Sequence, residues 1–418
     1  MIYIGYNLFN ADIIADMEQD VKTMLDRDES VSMMEPMLVS STSKHRELLS
    51  DLAVELASLS AGLRRSLPEG ILSALVDIVR SMNCYYSNLI EGHNTHPIDI
   101  EKALNEDFSE NIVKRNLQLE AKAHVEVQKW IDCDARKDFT TIRDFLLEIH
   151  RKFCHLLPDE LLWVVNEKSG ERVKMVPGKL REVDVKVGRH IPPSPGAVDR
   201  FLTRFETAYS QLGKSEMIIG AAAAHHRLLW IHPFVDGNGR VVRLFSYSML
   251  RDSLDTGGLW SIARGLARNV DSYKSHLARC DLARRNDLDG RGNLSEEELV
   301  SFTQFFLVTC IDQVKFMETL MQPDRLRDRI LIWAEEEKRA GTIPAKTANI
   351  IEALLYKGEL NRGDIPNILG TSDRHARRIV SALVEKGILT SESTRSPLRL
   401  AFPAKLAHRW LPGLFPEK

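Results

Sequence analysis

Apolar residues three and four apart recur along most of the chain, the pattern of helices that bury one face. Leu48, Leu49, Leu52, Leu56, Leu59 and Leu63 predict a helix over 47–67, stopped by Pro68-Glu69-Gly70. A second stripe, from Leu72 through Leu75, Val79, Met82 and Tyr86 to Ile90, predicts a helix over about 71–91 with Gly92 just past its end. Further helices are expected over 97–104, 111–130 and 140–155, the last opened by Thr140-Thr141 ahead of Asp144. His150 and His155 fall on that helix and are read as packed or hydrogen-bonded core residues. Residues 217–230 are Ala-rich and apolar, a good buried helix, and Val241, Val242, Phe245, Met249 and Leu250 begin another. Residues 1–40 are mixed, with acidic positions at Asp12, Asp16, Glu18 and Asp20 to which no chemistry is assigned.

The helical trend breaks over 177–191. Val183, Val185 and Val187 alternate with Asp184 and Lys186, the period of a half-exposed strand, and Pro192-Pro193 ends it. The plain reading is a surface hairpin. In a chain otherwise helical, an exposed strand edge is also a place where an extended peptide can pair. Farther on, Ser295 caps a helix through Leu299, Phe302, Phe305 and Phe306, and Pro323-Asp324 marks a boundary. A connecting helix over 325–339 and a linker over 341–344 follow. Residues 345–402 then read as three helices (347–356, 362–369, 373–385) and two strands (387–390, 398–402).

Composition narrows the class without naming a function. A chain of 418 residues has room for two or three domains, and 44% hydrophobic with 28% charged residues fits an ordinary globular protein. The net charge is −3, yet residues 345–410 carry eleven Lys/Arg against six Asp/Glu, leaving the remainder near −8. Five widely spaced cysteines without a CxxC pair fit a reducing compartment, and neither a disulfide framework nor a zinc site. No signal peptide is read at the N-terminus, and no apolar stretch is read as long enough to span a bilayer. The expectation is a cytoplasmic protein without a membrane partner; oligomeric state, including a homodimer, is left open.

Chemistry concentrates in Ile231-His232-Pro233-Phe234-Val235-Asp236-Gly237-Asn238-Gly239-Arg240-Val241-Val242-Arg243. Pro233 disfavours the αR region for His232, so one helix should stop there and another begin after the glycines. Gly237 and Gly239 then lie where helix-start N–H groups are unpaired and the dipole is positive, a site for an anion such as phosphate. Arg240 and Arg243, three apart, can lean over the same anion. Asp236 is a hard oxygen ligand suited to Mg²⁺ held between protein and phosphates. His232 is the side chain in this stretch able to take a proton near neutral pH. Two other motifs are set aside. The EF-hand-like run from Asp287 to Glu298 puts Arg291 where a ligand oxygen is required, and Gly213-Lys214-Ser215 lacks the earlier glycine of a P-loop.

The 232–243 string resembles the signature of the Fic (filamentation induced by cAMP) family, HPFx(D/E)GNGRxxR, at every specified position. The resemblance implies transfer of AMP from ATP to a protein hydroxyl. His232 would be the base, Asp236 the Mg²⁺ ligand, Gly237, Asn238 and Gly239 the anion hole, and Arg240 and Arg243 the β/γ-phosphate contacts. Ser87, Glu91 and Gly92 resemble the family's inhibitory motif, (S/T)xxxE(G/N), whose glutamate pairs with the second arginine, here Arg243. Glu91 on a last helical turn opposes the helix dipole by about 0.3–1 kcal/mol, so it is either solvated or held by a cation. Residues 181–191 resemble the Fic flap, on which a target bearing a Ser, Thr or Tyr hydroxyl would dock. Residues 345–418 resemble a winged helix-turn-helix, with Arg374, His375, Arg377 and Arg378 near the start of its third helix; DNA or protein would be its partner.

The expected architecture is mainly α. An N-terminal helical region spans 1–110 and includes the inhibitory helix. A Fic-type core with a small β-hairpin flap spans 111–323, a connector 324–344, and the C-terminal winged helix completes the chain. The expected function is autoinhibited protein adenylylation with ATP and Mg²⁺. Removal of AMP by the same site, and DNA-binding regulation with a nucleotide-sensing Fic domain, are the alternatives.

Overall fold

The computed structural model describes residues 11–13, 26–133, 135–165 and 170–416. The acidic positions Asp16, Glu18 and Asp20 lie outside them. Helices dominate, as the apolar stripes require. They are α1 (Arg46–Arg64), α2 (Glu69–Ile90), α3 (Pro97–Leu104), α4 (Ile112–Asp132), α5 (Ile142–His155), α6 (Val198–Tyr209), α7 (Lys214–Ile231) and α8 (Asn238–Leu254). After these come α9 (Ala263–Arg268), α10 (Val270–Cys280), α11 (Glu296–Met321), α12 (Pro323–Arg339), α13 (Thr347–Lys357), α14 (Ile365–Leu369), α15 (Asp373–Glu385) and α16 (Ala407–Trp410). Strands are few and short: β1 (Ala11–Ile13), β2 (Trp163–Val165), β3 (Arg172–Lys174), β4 (Val185–Val187), β5 (Glu359–Leu360), β6 (Leu389–Thr390) and β7 (Leu398–Leu400).

The centre is the α7·α8 pair. Ala221 through Ala224 are fully or almost fully buried, and such small residues let a neighbouring helix come close. Around this pair α1 packs on α11 and α7, α2 on α4 and α9, and α5 on α4 and α8. The sequence reading left no helix long and apolar enough for a membrane, and that needs correction. Glu296–Met321 passes by length and composition, but most of its apolar window is buried, and it packs against α1, α7 and α10 as a core helix. His155 also departs from expectation: it is exposed, while His150 on the same helix is buried.

The C-terminal elements match the predicted order and add a strand. β5, β7 and β6 form one antiparallel sheet, in that spatial order, beside α13, α14 and α15. Trp333 of α12 and Trp410 of α16 meet edge to face at 5.0 Å and hold the connector against this unit. The unit is seated on α2. β7 and α13 pack on that helix, and an added Cβ at Gly70 would lie 2.5 Å from the carbonyl oxygen of Gly358. Backbone meets backbone there, which only glycine permits.

The flap differs from the hairpin expected. β4 turns at Gly188 into a single bridge, Val187 to His190, and its ladder partner is the distant β1, antiparallel with Ala11 opposite Val187 and Ile13 opposite Val185. That strand edge is therefore occupied by the chain's own N-terminal segment rather than open. Farther along, Arg27 pairs with Asp184 at 2.9 Å and Glu29 accepts from the Ser194 N–H at 2.9 Å, so the same segment is pinned again at the flap's base. A further hairpin, β2–β3, lies in a stretch to which the sequence reading assigned nothing.

Replacing Gly70 by Ala should cost about 1–3 kcal/mol, the usual range for overpacking, because a backbone contact has no side chain to move aside. Chemical denaturation of Gly70→Ala against Ser73→Ala, a nearby exposed control, measures it; equal stabilities would show that the close approach is not maintained in solution.

Candidate active site

α7 ends because His232 enters the left-handed region, φ 50° and ψ 63°, with its N–H still bonded to Leu228 O at 3.1 Å. A non-glycine residue held there is uncommon and needs support. Arg181 supplies it. This residue is 1% exposed and donates from Nε to His232 O at 2.8 Å and from Nη1 to Val183 O at 3.1 Å. Its Nη2 reaches Pro193 O, and its own N–H bonds Pro233 O at 2.9 Å. A guanidinium thus satisfies carbonyls at a helix C-terminus, where cations are favoured. Burial lowers the Arg181 pKa to about 10, which leaves it charged at neutral pH.

The loop then closes on itself. Asn238 accepts from Phe234 N–H at 3.0 Å through Oδ1 and donates to Phe234 O at 2.8 Å through Nδ2. Phe234 stacks on His150 at 3.9 Å with the rings 2° from parallel, and His150 Nδ1 accepts from Gly178 N–H at 2.9 Å. Gly237, at φ 78°, occupies a conformation that glycine adopts without strain, and α8 starts at once behind it. The Gly237 N–H donates to Asp236 Oδ1 at 2.6 Å. The donors that open α8 without a preceding helical turn are therefore those of Asn238, Gly239 and Arg240. Of the three residues expected to form an anion hole, Gly237 has its N–H engaged by Asp236, and Asn238 gives its side chain to the loop.

An anion already lies over that helix start: the Glu91 carboxylate. A Cβ on Gly239 would stand 2.3 Å from Glu91 Oε1 and 3.1 Å from Arg243 Nη1. Glu91 Oε1 accepts from Arg243 Nη2 at 2.5 Å, while Arg243 also donates to Ser87 Oγ at 2.9 Å and Ser87 O at 3.0 Å. Gly92, at φ 85°, and His93 close α2 with bonds from their N–H groups to Leu89 O and Asn88 O, a Schellman motif that aims Glu91 out of the helix end. Burial alone would raise the Glu91 pKa; Arg243 and then Arg240 outweigh it and hold the carboxyl below its usual range. Of the two states open for Glu91, it is held by a cation.

His232, Asp236, Gly237, Asn238, Gly239, Arg240, Arg243 and Glu91 all line one cavity of about 800 Å³. Ser87 and Gly92 are not among the residues lining it; Ser87 reaches it only through its bonds to Arg243. The flap, Val187 to Ile191, forms one wall, and Tyr273 and Leu277 of α10 with Asp281 just past its end form another that the sequence reading missed. His232 is 5% exposed with Nδ1 unpartnered; burial, then Arg181 and His190, lower its pKa to about 3, so the imidazole is neutral but a weaker base than the free side chain expected from the sequence. Asp236 is half-exposed at the cavity, with Arg240 Nη2 at 3.4 Å from its Oδ2. Burial and the Glu91 charge push its pKa up against the pull of the Gly237 N–H. No group of three metal-ligating side chains occurs among the described residues. A lone carboxylate suits Mg²⁺ only when phosphates complete the shell, and Asp236 stands beside the unpaired N–H groups that open α8, where a phosphate would be received.

Residues 139–250 match the Fic/DOC family. That segment is similar to a Fic domain. "Protein adenylyltransferase Fic" of Culex quinquefasciatus is 30% identical over 220 residues, which is 50% of this chain and 36% of that protein. Its namesake in Drosophila ananassae is 38% identical over 112 residues, 26% of this chain and 19% of that one. The chain thus spans about a third or less of the length of these curated relatives. In fold, a Fic family protein from Desulfovibrio desulfuricans superposes with a TM-score of 0.50 at 16% identity, covering 87% of this chain and 98% of its own. Outside the signature, the functional neighbourhood adds Arg181, His93 and Glu120, none of which sequence reasoning singled out for a role of its own.

Arg181→Met should lower stability by more than about 2 kcal/mol, since several buried carbonyls lose their donor at about 1–3 kcal/mol each. Urea titration reads the loss, and a stability within 0.5 kcal/mol of the parent, about the error of such comparisons, would show that the His232 turn holds without it.

Proposed function

We propose that this chain transfers AMP from ATP to a Ser, Thr or Tyr hydroxyl of a protein and that Glu91 holds the reaction back. One observation carries the reading: the Glu91 carboxylate lies on the start of α8 and on Arg243, where the family resemblance puts terminal phosphates of ATP. With Glu91 withdrawn, the N–H groups of Asn238, Gly239 and Arg240 face phosphate oxygens and Arg243 takes up their charge. Neutral His232 accepts the proton of the incoming hydroxyl. The hydroxyl oxygen bonds the α-phosphorus, the bond to the bridging oxygen of the β-phosphate breaks, and pyrophosphate leaves. Mg²⁺, when bound at Asp236, supplies charge neutralisation on those phosphates.

The target segment is placed on β4. Because Ala11–Ile13 pairs there, an incoming strand takes over main-chain bonds that the chain now makes with itself. The five cysteines are free, in keeping with a cytoplasmic setting. We read the C-terminal unit, with α13, α14 and α15 beside the β5–β7–β6 sheet, as a winged helix. Arg374, His375, Arg377 and Arg378 are exposed on α15, and the three arginines line a shallow groove of about 560 Å³. A basic face of that kind, on the third helix, favours nucleic acid as its partner.

Glu91→Gly should raise AMP transfer roughly thirty- to a thousand-fold, the span of about 2–4 kcal/mol released from the lock. Transfer from labelled ATP is the measurement, with His232→Ala in the same background as the inactive control. The gain should vanish on Arg243→Ala, because both effects pass through one guanidinium. Wild-type rates in Glu91→Gly would remove the lock, and a fall would place Glu91 among the catalytic groups of an AMP-removing enzyme.

Replacing Arg374, Arg377 and Arg378 together by Gln should weaken duplex DNA binding by the full chain for all sequences alike. The salt slope should fall by up to about three counterions' worth. Fluorescence anisotropy across a salt series reads both, and an absence of any DNA binding at low salt leaves a protein as the partner of this face.

A further inference from the structure

Arg240 is held by a carboxylate that neither the signature nor the inhibitory motif contains. Its Nη1 donates to Glu120 Oε1 of α4, with the Arg240 side chain 8% and the Glu120 side chain 5% exposed. The other oxygen of Glu120, Oε2, accepts from His93 Nδ1 at 2.6 Å. Burial, then Arg240, lower the His93 pKa, so this is a neutral imidazole donating its one proton. The Arg240 guanidinium carbon also lies over the Phe153 ring, 5.1 Å from its centre. The group is thus held by a charge-assisted bond and by an aromatic face.

Two buried carboxylates therefore answer two arginines, and their positions differ in kind. Glu91 lines the cavity and stands on Gly239. Glu120 is not among the residues lining the cavity and reaches Arg240 from α4. A carboxylate in the cavity competes with an anionic ligand for its arginine. One behind the arginine cannot meet the ligand and instead sets where the guanidinium points. We propose that Glu120 is a positioning residue, which with His93 holds Arg240 at the angle from which it contacts the phosphate chain of ATP. The inference rests on the adenylyl-transfer reading for the identity of that ligand.

The test uses the full chain carrying Glu91→Gly, so that the cavity is open. Adding Glu120→Ala should raise the KM for ATP about ten-fold or more with a smaller change in kcat, the size expected for losing one charge-assisted bond. Calorimetric affinity for a non-hydrolysable ATP analogue should fall by a similar factor. Glu120→Gln, which keeps an acceptor oxygen for Arg240 and the same volume, should recover part of the loss, and it stands in if the alanine variant does not fold. In an Arg240→Ala background neither Glu120 variant should change nucleotide affinity further. Transfer that rises with Glu120→Ala would make Glu120 a second lock and overturn the proposal. So would effects of Glu120→Ala and Arg240→Ala that multiply, which mark a role independent of Arg240. Analogue binding that follows this pattern in a protein without AMP transfer would overturn only the reaction assigned above.

Discussion

The positive end of α8 is the constraint to which the surrounding structure conforms. Several N–H groups converge there with two arginines, and so much buried positive potential is unstable without a negative partner. In the structure Glu91 meets that need directly, and Glu120 meets it one layer deeper. The loop is built to keep the donors exposed. Asn238 closes it, His150 and Phe234 support it, and Arg181 holds the strained His232 turn from outside. Of these supports only Arg181 is charged, and it acts on the cavity by adding to burial in keeping His232 neutral. Their common effect is to keep loop rearrangement from blurring the geometry of the site, which is what preorganised electrostatics requires.

Much of this was legible in the sequence, for identifiable reasons. Periodicity located α1, α2, α4, α5 and α11 because each buries a continuous apolar stripe. The signature carried the loop because its backbone chemistry is local, with Pro233, Gly237 and Asn238 acting within a few residues of where they stand. Glu91 was legible because a carboxylate on a last turn is locally unfavourable and asks for a distant cation. What escaped notice was non-local. Arg181 is one basic residue among several in a strand-like stretch, and only the fold puts it against carbonyls about fifty residues away. Glu120 left a weaker trace. It shares the inner face of α4 with His124 and Val127 at helical spacing, so a charged residue at a core position was there to be questioned.

The flap shows a different limit. Alternation predicted a strand over 183–187, and β4 lies within it. Its partner came from a segment near the N-terminus to which no structure had been assigned, because three-residue strands leave no periodic signal. The EF-hand-like loop is the reverse case, a motif with no corresponding role in the fold. Asp289 there accepts from Ser295 Oγ at 2.8 Å and Glu297 N–H at 2.9 Å, so its carboxylate brackets the start of α11. Ser295 in turn caps Glu298 N–H at 3.2 Å.

The placement of α2 has a mechanical consequence. Its 22 residues make a rod of about 33 Å, loaded at both ends. At one end Gly70 touches the backbone of Gly358 beneath the C-terminal sheet, and at the other Glu91 rests on Gly239. Taken as a rigid rod, α2 would turn a pivot of about 5° at the first end into a sweep of about 3 Å at the second. That is longer than the 2.5 Å contact between Glu91 and Arg243. Whatever shifts the C-terminal unit on its seat thus acts on the cavity with a long lever arm.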